Sequence, residues 1–265
     1  MNRLDLVANL AALKDDSPND SIEGSYAPDG SVFRQTDLDR DREDLAFFSP
    51  IHYTPSYRYP LVVYLHTAHS NARELSQVMP HLSLRNYVGA AICGNRCVDA
   101  DENIYDWTFN TPSIHRATDS VNHTINAAMR RYSVHPERVV LVGIGDAGAM
   151  AIQIAVNLSD RISGVVSMGS WTQNLRLTQW KKTRSRPLRM LYAFGERNPS
   201  YTQANLVDAA RTGRAFNAKM DIRQYPIDDE RDTQVFQDVD RWIMNTIVDR
   251  GGCVVNHRQT VFANN

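Results

Sequence analysis

Cysteine, net charge and long apolar runs are all scarce in this chain of 265 residues. The three cysteines are odd in number, and the CxxxC spacing of Cys93 and Cys97 has no second pair, which argues against a disulfide framework or a zinc site. The net charge of −1 offers nucleic acid no global attraction. No run reaches the roughly 18 apolar residues that a membrane span needs, and the N-terminus lacks a signal-peptide pattern. These features predict a cytoplasmic protein with no nucleic-acid partner, membrane span, metal or cofactor.

The middle of the chain differs in amino-acid composition and pattern from its two ends. Residues 1–44 are rich in Asp, Ser, Pro and Gly and are predicted to form a flexible arm, and residues 251–265 a tail. In residues 45–250, beginning with a predicted strand at LAFFSPIHYTP, apolar strand patterns alternate with helix patterns. This alternation predicts an α/β fold with a mostly parallel central sheet and helices on both faces.

The stretch VVLVGIGDAGAMAIQIA contains a glycine-dense turn between a predicted strand and a predicted helix. A nucleophile at such a turn needs small residues two positions before and two positions after it, since larger side chains collide across the turn. Gly143 and Ala147 are the small pair around Gly145, whereas a turn centred on Asp146 would place Ile144 at a small position. The tip is therefore predicted to be Gly145, which has no side chain.

The order of five segments resembles the phospholipase/carboxylesterase branch of the α/β-hydrolases, from about residue 46 to residue 248. The segments are YPLVVYLHTAHSN, MPHLSLRNYVGAAICG, LVGIGDAGAMA, FGERNP and QYPIDDE. They are similar, in turn, to the oxyanion strand and loop, the next helix and strand, the nucleophile elbow, the acid loop and the histidine loop of that family. The resemblance implies the α/β-hydrolase fold.

Carried over residue by residue, the resemblance implies a degenerate catalytic triad. The serine position is Gly145, the acid position is Asn198 and the histidine position is Asp229. In the oxyanion loop Thr67 and Ala68 stand where the family has glycine-rich sequence, and Asp146 takes the position whose backbone N–H would serve the oxyanion hole. The implied expectation is a site without ester hydrolysis.

Substitute catalytic residues are considered because triads are defined by geometry, not by position. No histidine lies between His135 and His257, so the usual histidine loop has no base. Asp146 as nucleophile with His69 as base is the best substitute pair. Ser167 and Ser170 follow a predicted strand, but a serine without an adjacent base is a poor nucleophile.

Three functions stay open from the sequence. The first is an esterase-like pseudoenzyme that binds a small acyl or aromatic ligand in the former active-site pocket. The second is a weakly active carboxylic-ester hydrolase that uses Asp146 and His69. The third is a protein-binding module, as a homo-oligomer or beside an active paralogue.

Overall fold

A computed structural model describes residues 45–170, 188–198 and 203–249. The predicted N-terminal arm and C-terminal tail lie outside the described residues. Seven strands form one sheet in the order β1-β3-β2-β6-β7-β8-β9, in which β1 is antiparallel to β3 and all other neighbours are parallel. The strands of this sheet are β1 (Leu45–Phe48), β2 (Tyr59–Leu65), β3 (Val88–Ile92), β6 (Val134–Ile144), β7 (Gly164–Met168), β8 (Arg189–Gly195) and β9 (Lys219–Tyr225).

Helices cover both faces of the sheet, which confirms the predicted fold class. Their bounds are α1 (Leu75–Leu82, after a 3₁₀ turn at Ala72–Glu74), α2 (Thr111–Arg131), α3 (Asp146–Asn157), α4 (Gln203–Ala215) and α5 (Thr233–Ile243, continued by a π-helical turn at Met244–Val248). Alternate side chains of β2 separate into two apolar clusters, one with α2 and α3 and the other with α1 and α5. The central strands are buried along their whole length because both faces are covered, and this explains their continuous apolar sequences.

The first predicted strand is shorter than its apolar sequence suggested. It ends at Phe48, and Pro50, His52 and Pro55 follow it. Proline has no backbone N–H to donate to a neighbouring strand, and His52 adopts a left-handed φ of 59° that is incompatible with an extended strand. The segment therefore leaves the sheet after four residues.

A small hairpin, β4 (Arg96–Asp99) with β5 (Ile104–Asp106), forms a separate two-stranded sheet. The amino-acid sequence does not predict this hairpin, because β4 is exposed along its length and has no apolar alternation. The hairpin joins the loop after β2 through a bridge between Ser70 and Tyr105. Within the described ranges, none of the helices is long and apolar enough to span a membrane.

Candidate active site

The turn between β6 and α3 is a sharp strand-to-helix elbow with Gly145 at its tip. Gly145 has φ 59° and ψ −126°, and its N–H donates to the carbonyl of Met168 over 2.8 Å. Residues other than glycine adopt this backbone conformation only with strain. The turn has the form that presents a nucleophile at the carboxyl edge of an α/β-hydrolase sheet, but its tip residue has no side chain.

Glycine is needed at two positions of the elbow for different reasons. A Cβ atom on Gly143 would lie 2.5 Å from the carbonyl carbon and oxygen of Ala147, so the backbone itself leaves no room. A Cβ atom on Gly145 would meet nothing within 4 Å among the described atoms, so its only obstacle is the positive φ. Among residues 45–170, 188–198 and 203–249, no atom therefore fills the space next to the tip into which a nucleophile would project.

Asp146 is the first residue of α3, one position beyond the tip. A carboxylate in the first turn of a helix is favoured by the positive end of the helix dipole. The structure therefore places Asp146 where an aspartate stabilises the start of the helix.

The acid and histidine loops meet through a buried carboxylate. Asn198 follows β8, and its Nδ2 lies 2.9 Å and 3.1 Å from the two carboxylate oxygens of Glu230. The backbone N–H of Gly195 donates to Oε1 of Glu230 over 2.9 Å. Glu230 is only 4% exposed. The residue that contacts Asn198 is thus Glu230, whereas Asp229, which the resemblance placed at the histidine position, forms an exposed ion pair with Arg231.

Glu230 also lies against the end of β7. Gly169 has φ 55°, and a Cβ atom there would lie 2.6 Å from the carboxyl carbon of Glu230. Gly169 directly follows Met168, whose carbonyl accepts from the N–H of Gly145. The elbow and the Glu230 carboxylate therefore lie at the same carboxyl edge of the sheet, which is where ligands bind in open α/β folds. Sequence reasoning missed Glu230 because it lies in a run of acidic residues with no apolar pattern.

The two serines after β7 are buried beside the elbow. Ser167 and Ser170 hydrogen-bond to each other through their hydroxyls, and Tyr192 donates its hydroxyl to the carbonyl of Ser170. A Cβ atom on Gly148 would lie 2.8 Å from Oγ of Ser167, so α3 packs closely on this pair. These contacts give both serines a structural role in the packing beneath the elbow.

Glu74 anchors the loop that follows β2. Its carboxylate accepts from the backbone N–H of Thr67 over 2.9 Å and from the Thr67 hydroxyl over 3.0 Å. Tyr64 donates its hydroxyl to the same carboxylate over 2.8 Å, and burial, together with the negative charge of Glu74, raises the pKa of Tyr64 well above its usual value. The N–H of Thr67 is thereby already engaged in a hydrogen bond. The neighbouring N–H of Ala68, on an exposed residue, has no hydrogen-bond partner among the described residues.

His66 opens the loop as a buried, neutral imidazole. Its Nε2 accepts from the N–H of Gly94 over 2.7 Å, so the proton must be on Nδ1, which donates to the carbonyl of Thr67 over 2.6 Å. Burial lowers the pKa of His66. Trp107 donates its indole N–H to the carbonyl of His66 over 2.8 Å. Both ring nitrogens of His66 are engaged, so it is explained as a structural residue.

His69 is held by a buried aspartate from the hairpin. Its backbone N–H donates to Oδ1 of Asp106 over 2.7 Å, and its Nδ1 lies 3.4 Å from the same oxygen. Arg96 binds the other oxygen of Asp106 over 2.6 Å. Burial alone would raise the pKa of Asp106, but the contacts with His69 and Arg96 outweigh it, and the pKa is lowered.

The imidazole of His69 is largely in solvent, with 71% of its side chain exposed. Among the described residues it forms no hydrogen bond or ion pair with Asp146. The structure therefore does not join the two substitute catalytic residues directly. It also shows no group of three or more metal-ligating side chains within the ranges it describes.

Fold and site geometry together define an α/β-hydrolase. Residues 97–247 match the family model of the phospholipase/carboxylesterase proteins, and the chain belongs to that family. A search of curated proteins found no match.

Solved structures of similar fold include three esterase-family proteins. The Bacillus cereus carboxylesterase is 13% identical and has a TM-score of 0.59, covering 76% of this chain and 93% of its own. A phospholipase/carboxylesterase from Dyadobacter fermentans is 14% identical with a TM-score of 0.58, covering 76% of this chain and 95% of its own. A carboxylesterase from Mesorhizobium loti is 14% identical with a TM-score of 0.56, covering 69% of this chain and 88% of its own. At these identities the likeness establishes the fold.

Proposed function

We propose that this protein is a cytoplasmic, esterase-like α/β-hydrolase that has lost ester hydrolysis and retains its site for binding a small acyl or aromatic ligand. The observation that carries the proposal is Gly145 at the tip of the elbow, with φ 59° and open space where a nucleophile would project. Covalent acyl transfer at this elbow needs a nucleophilic side-chain atom on the tip residue. A glycine supplies none.

The acid and histidine loops support the same proposal. Asn198 carries an amide, which does not ionise and so cannot stabilise an imidazolium as a carboxylate does. Neither Asp229 nor Glu230 is a histidine, so this loop offers no imidazole base. Loss of one triad member already removes most of the rate enhancement of a serine hydrolase, and here all three are replaced.

Hydrolysis of 4-nitrophenyl acetate by the purified full chain tests the loss of activity. We expect release of 4-nitrophenol at the rate given by the same amount of Asp146→Asn/His69→Gln protein as control, because the tip of the elbow has no nucleophile in either and the control also lacks the substitute pair. A rate at least about 100-fold above that control would contradict the proposal, because an increase of that size is what positioned acid and base groups usually supply.

Ligand binding is tested separately with neutral probes. Hexanamide and benzamide carry an acyl chain and an aromatic ring without the negative charge that the Glu230 carboxylate would repel. A ligand that binds only the folded protein raises the melting temperature by mass action, so we expect a saturable rise with at least one probe. No rise with either probe at millimolar concentration would contradict retention of an acyl or aromatic site.

The second candidate is weak ester hydrolysis through His69 and Asp146. The observation that favours it is the His69–Asp106 pair, because a carboxylate that orients an imidazole supplies two of the three members of a catalytic triad. If this candidate is right, Asp146→Asn and His69→Gln each abolish 4-nitrophenyl acetate hydrolysis. If the unmodified chain shows only background, or if neither variant changes its rate, the candidate is excluded.

A further inference from the structure

Asn198 and Glu230 lie on the two loops that resemble the acid and histidine loops of a hydrolase. Their hydrogen bond runs in the opposite direction to the acid–histidine hydrogen bond of a triad. In a triad the histidine donates its N–H to the carboxylate of the acid. In this chain the amide on the acid loop faces both oxygens of a carboxylate on the histidine loop, at 2.9 Å and 3.1 Å. We infer that Glu230 occupies the base position, and that the Asn198–Glu230 hydrogen bond replaces the acid–base contact with donor and acceptor exchanged.

The direction of this hydrogen bond is fixed by a third partner. The backbone N–H of Gly195 can only donate, and it lies 2.9 Å from Oε1 of Glu230, so that oxygen is an acceptor. The same oxygen is 2.9 Å from the side-chain amide of Asn198, which must therefore present its NH₂ group. Two donors from the acid loop converge on one carboxylate of the histidine loop.

Chain direction after β9 explains why Glu230 and not Asp229 reaches the site. Asp229 turns to solvent, where its carboxylate pairs with Arg231 over 2.6 Å and half of its side chain is exposed. Glu230 is 4% exposed and lies over Gly169, where a Cβ atom would approach within 2.6 Å of its carboxyl carbon. The inward-facing position of this loop is occupied by a carboxylate with no cationic partner among the described residues.

The chemistry of the exchanged pair follows from its two groups. An amide neither takes up nor releases a proton near neutral pH, so no proton passes between Asn198 and Glu230 as it does between the histidine and the nucleophile of a triad. It holds the acid loop and the histidine loop together at the carboxyl edge of the sheet. Glu230 is therefore a positioning residue. Its comparison with the histidine of a triad rests on the proposed loss of hydrolysis.

A double-mutant cycle on thermal stability tests the pairing without any assay of activity. Asn198→Asp places two carboxylates side by side, and Glu230→His leaves an imidazole against an amide, so each single variant should lower the melting temperature. Combined, the two changes recreate a carboxylate that accepts from an imidazole N–H, and we expect the double variant to regain at least half of the summed loss.

The matched control moves the histidine by one residue. Asp229→His should change the melting temperature little, and its effect should add to that of Asn198→Asp without coupling, because residue 229 faces solvent. Coupling of Asn198→Asp with Asp229→His, or simple additivity with Glu230→His, would overturn the inference.

A covalent probe gives a second readout. On the Gly145→Ser background, the introduced hydroxyl can attack a fluorophosphonate, forming an oxygen–phosphorus bond as fluoride leaves and the base takes the proton. We expect Gly145→Ser/Asn198→Asp/Glu230→His to be labelled at least about tenfold faster than Gly145→Ser/Asn198→Asp/Asp229→His. Equal or faster labelling of the Asp229→His form would overturn the inference. The proposed loss of hydrolysis fails by a different result, namely ester turnover by the unmodified chain.

Discussion

The elbow and the paired acid and histidine loops differ in what they retain of a hydrolase. The elbow keeps the backbone form of a nucleophile turn, including the clash that requires Gly143, but has no side chain at its tip. The two loops keep a side-chain contact, but its groups are an amide and a carboxylate. Packing constrains the backbone of the turn whatever its chemistry, whereas side chains at the open edge of the sheet are constrained mainly by the reaction. The proposed loss of hydrolysis would therefore leave the backbone form of the elbow in place and free the two loop side chains to change.

The largest effect on stability is expected from a substitution that disturbs the backbone of the elbow. Gly143→Ala places a Cβ atom 2.5 Å from the backbone of Ala147. Because no flexible side chain can move aside, we expect the free energy of unfolding to fall by about 3 kcal/mol. Urea denaturation followed by circular dichroism measures it. A loss below that of Gly145→Ala would show that the elbow relaxes more easily than its geometry indicates.

A smaller effect is expected from the loop after β2, which is held by the buried carboxylate of Asp106. Asp106→Asn removes the negative charge that binds Arg96 and the N–H of His69, and we expect a loss of about 2 kcal/mol near neutral pH.

This loss should depend on pH in a defined direction. The pKa of Asp106 is lowered in the folded protein, so its contribution is fully present above the unfolded value of about 3.9 and disappears as the pH falls through the folded value. The difference in stability between the native protein and Asp106→Asn should therefore shrink below about pH 4. A constant difference across the acid range would mean that the charge of Asp106 is not the stabilising group.

Substitutions of Gly145, at the tip of the elbow, test the cost of backbone strain without a steric collision. Gly145→Ala meets no atom within 4 Å, and only the positive φ opposes it, so we expect a loss of about 1 kcal/mol. Gly145→Val is the matched variant, because a β-branched side chain adopts a positive φ less readily than alanine does, and it should lose more. A smaller loss for Gly145→Val would contradict strain as the cause.

The smallest effect is expected at Asp229. Its ion pair with Arg231 is largely in solvent, and such pairs contribute little, so Asp229→Asn should cost about 0.5 kcal/mol or less. Glu230→Gln, next to it in sequence, should cost several times more, because it removes the negative charge that accepts from two buried donors and sets an NH₂ group against that of Asn198. Equal losses would remove the distinction between the outward and inward residues of this loop. Chemical denaturation of the two variants side by side decides it.

The sequence predicted most of the sheet and the elbow because both depend on local pattern. Continuous apolar runs such as YPLVVYL identify strands buried on both faces, and glycines at fixed spacing identify the turn at Gly145. The β4–β5 hairpin has no such pattern, since its exposed residues are fixed by contacts with a distant loop.

For the same reason, the sequence alone could not predict which acidic residue after β9 faces inward. In the run Asp228, Asp229, Glu230 every residue is polar, and the inward one is selected by Asn198 and Gly169, which are far away in the chain. The anchoring role of Glu74 likewise depends on the folded path of the loop that carries Thr67.

The bridge between the hairpin and the loop after β2 has a consequence for amide hydrogen exchange. The N–H groups of Thr67, His69 and Tyr105 are bound to Glu74, Asp106 and Ser70, respectively. Loop and hairpin should therefore open as one cooperative unit, with slow exchange at all three amides. Ala68 lies between two of these protected amides. Its N–H should exchange fast in the empty protein and slowly when an acceptor atom of a bound molecule reaches it, which makes a single amide signal a direct reporter of a molecule bound against this loop.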